Sequence, residues 1–156
     1  MTTDTGSHSK IQAKLSVLLV CGEEAENGKK IEGILESLNI SIELKRASWE
    51  ICENADCRHH LALLVTGSGE MEKVDRFLER PVNVRRKVIV ILPENAKLAD
   101  MVRLLSHPDV DQVLRRQYDW LHDLRVVMHV LVTGEIFGME KYLPNNEEVS
   151  YIRFHD

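Results

Sequence analysis

Cys21 ends the apolar run LSVLLV that begins at Leu15, and a thiol at the carboxyl end of a strand is a candidate nucleophile. Two chemistries use a cysteine so placed, phosphocysteine transfer and thiol redox exchange. Both need the thiolate, and a phosphocarrier also needs a loop rich in Gly, Ser and Thr whose amides cradle phosphate. Here Gly22-Glu23-Glu24-Ala25-Glu26 follows, and its carboxylates repel an anion and oppose a thiolate. A strand-end packing thiol is the simpler reading, with a phosphocarrier or redox enzyme using Cys21 as the alternative. Cys52, Cys57, His59 and His60 carry zinc-ligand chemistry in a C-x4-C-x-H-H run. Structural zinc sites place their second ligand pair farther along the chain, so Cys52 is expected to pack inside a helix and the histidines to cap the entry to a strand. No metal or cofactor is expected. Arg115 and Arg116, with Arg103 and Arg125, offer guanidinium groups to an acidic partner, or Arg116 to a small anionic ligand. A solvated basic rim explains them more simply. The stretch LALLVTGSG, residues 61 to 69, is the puzzle: it delivers only Val65 and Thr66 to the strand end where alternating helix-strand proteins gather their ligands.

The elements that position these residues follow from periodicity. Continuous apolar runs at 15 to 20, 61 to 65 and 87 to 92 predict strands covered on both faces. ISIELKRA, from Ile40, alternates as a half-buried edge strand does, and VDQVLRR, 110 to 116, supplies a fifth strand. Between them lie expected helices at 28 to 38, closed by Asn39; at 48 to 56, with Ser48 as N-cap; around Met71, Val74, Phe77 and Leu78, stopped by Pro81; and around Leu98, Met101, Val102 and Leu105, taken as inward and ended by Pro108. A long last helix carries Leu121, Leu124, Val127, Met128 and Leu131, with Asp119 as N-cap. Strand and helix alternation predicts an α/β fold, a five-stranded parallel doubly wound sheet of flavodoxin-like order over about residues 12 to 132.

Composition bounds the function. The 156 residues fit one such domain, preceded by a polar, disordered leader over 1–11 and followed by a C-terminal extension or linker to an output domain over 133–156. That extension holds Ile136, Phe137, Met139, Tyr142 and Leu143, then VSYIRF, which reads as a strand. A net charge of −5 argues against nucleic-acid binding, and no apolar run reaches the ~20 residues of a membrane span. Three cysteines and no secretory stretch predict reduced thiols and a cytoplasmic location.

VDQVLRRQYDWLHDLRVVM is similar to the fifth strand, following turn and last helix of the receiver domain of bacterial two-component response regulators, and the resemblance spans about residues 12 to 132. Active receivers use two acidic residues after the first strand to hold a divalent metal, an aspartate ending the third to accept phosphate, a serine or threonine after the fourth, and a lysine after the fifth. By resemblance the acidic pair falls on Cys21-Gly22 or Gly22-Glu23, the phosphoacceptor on Val65 beside Thr66, the hydroxyl on Leu92, the lysine on Arg116, and the aromatic switch position on Val113. A valine offers no lone pair to a phosphoryl group, and a cysteine and one glutamate make a poor magnesium site. The resemblance therefore implies a degenerate pseudo-receiver. It implies no enzyme, but a signalling or scaffolding module whose partner is another signalling protein, its own output domain or a second copy. The partner face would comprise Arg115, Tyr118, Trp120 and the exposed side of 96 to 104, which includes Met101.

Overall fold

In the computed structural model, residues 14–22, 25–50, 59–80 and 86–133 are described. Five strands, β1 (Leu15–Cys21), β2 (Ile42–Ala47), β3 (Leu61–Val65), β4 (Lys87–Leu92) and β5 (Val110–Arg115), form one parallel sheet in the order β2-β1-β3-β4-β5. Four helices connect or follow them: α1 (Ala25–Glu36), α2 (Met71–Glu79), α3 (Leu98–Leu105) and α4 (Trp120–Thr133). Trp49 and Glu50 are also helical, and the remainder of the helix expected over 48 to 56 lies outside the described residues, as do Cys52 and Cys57. The leader 1–11 and the segment 134 to 156 are likewise outside them.

The sheet order explains the sequence patterns. β1, β3 and β4 are central, so side chains pointing to either face meet a helix, and Leu61 through Val65 are all buried. β2 and β5 are edges. β2 keeps the alternation read from its sequence, with Ile42 and Leu44 half-buried against exposed Glu43 and Lys45. Two apolar layers result. Leu15, Val17, Leu19, Leu63, Val65 and Ile91 pack with Ile31 and Leu35 of α1 and Leu124, Met128 and Leu131 of α4. On the other face Leu18, Val20, Leu64, Val90 and Leu92 pack with Val74, Phe77 and Leu78 of α2 and Leu104 of α3.

α1 begins and ends earlier than the expected 28 to 38, because Ser37 and Leu38 form a turn and Asn39 adopts a left-handed φ of 56° that closes it. α3 requires a larger correction. Leu98, Val102 and Leu105 are 68%, 60% and 46% exposed, and the buried contact is made by Leu104 with Met101 partly buried beside it. At 100° per residue the apolar groups at 98, 101, 102, 104 and 105 cover an arc of about 160° opposite Asp100 and Arg103, and the core takes only one margin of that arc, at Leu104 and Met101. Arg103 donates to Asp75 of α2 at 2.7 Å, a bond that raises the guanidinium pKa above its ordinary value.

The N-terminal edge of the sheet accounts for the histidines. The Ser16 amide donates to His60 Nδ1 at 3.0 Å, Ser16 Oγ lies 3.0 Å from His59 Nδ1, and the His60 amide donates to the Ser16 carbonyl. Both rings tie the entry of β3 to β1. At the same edge Arg86, buried before β4, donates to Asp109 at 3.1 Å and lies 4.7 Å from the Phe77 ring centroid.

Candidate functional site

The carboxyl ends of β1, β3 and β4 align Cys21, Val65 and Ile91 in one row, and the next row pairs Leu92 of β4 with Arg115 of β5. Val65 and Leu92, the positions given by resemblance to the acceptor and the hydroxyl, are both fully buried but belong to opposite apolar layers. They do not face each other across a polar pocket. Arg116 links the ends of three strands: its amide donates to the Leu92 carbonyl at 2.9 Å, and its guanidinium Nη1 donates to the Thr66 carbonyl at 2.8 Å. The Thr66 amide in turn donates to the Ile91 carbonyl at 2.8 Å. Thr66 is fully buried, and its Oγ1 has no hydrogen-bond partner among the described residues.

Gly22 is met by two groups that the sequence did not single out. A Cβ built at Gly22 would lie 2.6 Å from Glu70 Oε2 and 2.9 and 3.1 Å from Cδ1 and Nε1 of Trp49. Only a glycine admits that approach, so the β1 end is closed by a carboxylate and an indole edge. Glu70 is 6% exposed. Its Oε1 accepts the Gly67 amide at 2.8 Å, and its Oε2 lies 3.6 Å from Lys73 Nζ. Trp49 is 3% exposed and its Nε1 has no hydrogen-bond partner among the described residues. Glu23 lies outside the described residues.

Cys21 is half-buried and packs against the α1/α4 layer. Its Sγ and Arg46 Nη2 converge on Gly28 of α1, each 2.9 Å from where a Cβ would stand there. Arg46 is also paired with Glu32 at 3.0 Å. Among the described residues no group of three or more His, Cys, Asp or Glu side chains is placed to hold a metal ion, and no helix is long and apolar enough to cross a membrane.

The residues given to a partner face divide. Tyr118 is fully exposed, with a φ of 37°. Trp120 is half-buried against the α1/α4 layer, and Met101 is half-buried against the other. Arg115 Nη1 donates to the Ala96 carbonyl at 3.4 Å and Gln117 Nε2 to the Glu94 carbonyl at 3.3 Å, so the loop before α3 is fastened to β5 and the turn that carries Tyr118.

Neither a protein-family model nor a curated protein matches this sequence. Solved structures do resemble the fold. A candidate CpaE2 pilus assembly protein from Sinorhizobium meliloti 1021 is 16% identical with a TM-score of 0.53, covering 73% of this chain and 97% of its own. A CheY-like response regulator from Mesorhizobium loti is 16% identical with a TM-score of 0.52, covering 75% and 99%. The phosphorylated cyanobacterial phytochrome response regulator RcpA is 17% identical with a TM-score of 0.54, covering 83% and 93%. At these identities the likeness concerns architecture, and the chain has the receiver fold, a flavodoxin-like five-stranded parallel sheet with alternating helices.

Proposed function

We propose that this chain is a pseudo-receiver, a signalling or scaffolding module that acts by protein-protein contact and accepts no phosphate. The observation that carries this reading is Val65: the residue at the acceptor position is fully buried in the apolar layer with Ile91 and Leu124, and a hydrocarbon there cannot attack a phosphoryl group. Leu92 at the hydroxyl position and an Arg116 bound to a backbone carbonyl support it. Incubation with acetyl phosphate and magnesium, followed by intact-mass measurement, should leave the mass unchanged. A stoichiometric phosphate adduct removed by hydroxylamine, as an acyl phosphate is, would refute the proposal.

With the pocket chemically silent, function moves to the outer surface. The exposed residues Leu98, Val102 and Leu105 recur on one side of α3, and the tied loops place Tyr118 at the adjoining turn. Apolar groups of this size on one short helix fit a partner surface, with Tyr118 and Arg115 as its aromatic and cationic margin. A second reading, a reactive Cys21, is favoured by one observation, the convergence of its Sγ and Arg46 Nη2 on Gly28. Thiol labelling at neutral pH separates the two: an unreactive Cys21 retires the enzyme reading, whereas labelling faster than a free cysteine would promote it.

A further inference from the structure

We propose that the Glu70 carboxylate is a built-in anion occupying an oxyanion site above β3, so that the chain supplies from its own sequence the negative charge its pocket does not accept from phosphate. The inference rests on the non-phosphorylatable reading above and adds an occupant to it.

Glu70 stands at the boundary of α2, where a carboxylate can stay in water and still favour the positive end of the helix dipole. It makes no side-chain capping bond to α2. Instead it turns back, becomes 94% buried, and takes the Gly67 amide. Burying a carboxylate is unfavourable unless donors compensate it. The Gly67 N–H at 2.8 Å and the Lys73 ammonium at 3.6 Å do so in part. A third donor borders the same space over Gly22. This is the Trp49 indole N–H, buried and without a partner among the described residues. A loop amide, an ammonium and an indole N–H around one small space form a donor set with the chemistry of a tetrahedral oxyanion such as phosphate or sulfate. The absence of a side chain at Gly22 lets the carboxylate reach it.

Two consequences follow. With Glu70 in place a free oxyanion is excluded by sterics and charge. With the carboxylate removed the Gly67 amide and the Lys73 ammonium lose their partner beside the Trp49 N–H, and an oxyanion from solution should take its place.

The test uses the full chain and inorganic phosphate, titrated against sodium chloride at matched ionic strength, with the Gly67 amide and Trp49 indole resonances as readouts. The wild type should show no saturable shift. Glu70→Ala should gain one at both resonances, whereas Glu70→Gln, whose amide oxygen still accepts the Gly67 N–H, should gain much less. A saturable shift in the wild type would overturn the proposal, as would a folded Glu70→Ala that binds none. If neither variant folds, wild-type hydrogen exchange at Gly67 decides, and an amide exchanging as fast as a solvated loop amide would refute the bond. None of these results touches the pseudo-receiver reading, which fails separately if acetyl phosphate modifies the wild type.

Discussion

Placing a carboxyl at the proposed acceptor position with Val65→Asp should damage the fold without creating phosphoacceptor chemistry. Val65 is fully buried, with Cys21 and Ile91 beside it in the sheet and Leu124 in the same apolar layer. Removing a valine from that position forfeits about 1.5–3 kcal/mol of burial. The new carboxyl must be desolvated or remain protonated, and an upward displacement of two to three pKa units costs about 3–4 kcal/mol at neutral pH. The sum, roughly 4–7 kcal/mol, is comparable with the ~5–15 kcal/mol that holds a domain of this size. The sign with pH follows from the same displacement. A carboxyl whose folded pKa lies above its unfolded value of about 4 binds more protons in the native state, so stability relative to wild type falls as pH rises from about 4 toward 7. Urea unfolding of both proteins at those two pH values measures it. A variant as stable as wild type at neutral pH, or one that takes phosphate from acetyl phosphate, would refute the reasoning.

Gly22→Ala should cost about 1–3 kcal/mol, because its methyl group must push aside a buried carboxylate and an indole, and thermal unfolding reads the loss. Arg86→Ala leaves Asp109 without its partner and Phe77 without its covering cation, and should cost on the order of 3 kcal/mol by urea unfolding. The double substitution Leu98→Glu and Val102→Glu should leave the unfolding midpoint within about 0.5 kcal/mol of wild type while reducing binding of a hydrophobic dye, since both side chains face solvent. A large stability loss there would mean that α3 packs through the stripe expected from its sequence.

The strands were legible because their environment is uniform. LALLV and KVIVIL are apolar at every position, and only a strand covered on both faces uses such a run, so β3 and β4 are bounded as the sequence predicts. Edge strand β2 announced itself by alternation. α3 did not disclose its orientation, because its apolar arc through 98, 101, 102, 104 and 105 is wider than the contact it makes, and the core takes only one margin of it, at Leu104 and Met101. The places of Val65, Leu92 and Arg116 at or just past strand ends were legible in the runs that lead to them. Glu70 and Trp49 were not. Glu70 reads as an ordinary charged residue at a helix start, and its burial follows from the approach of Gly22 and Gly67, which no local pattern records. A glutamate following Gly-Ser-Gly, where an unstrained cap would prefer Ser, Thr, Asp or Asn, is the one signal that could have marked it.

Whether this chain binds a phosphoryl group is decided by adding magnesium and beryllofluoride, a mimic of that group, to the isotopically labelled full chain and following the amides of Val65, Thr66, Gly67 and Arg116. Resonances that stay unmoved at saturating beryllofluoride are the predicted result; a saturable, magnesium-dependent shift centred on Val65 would contradict it.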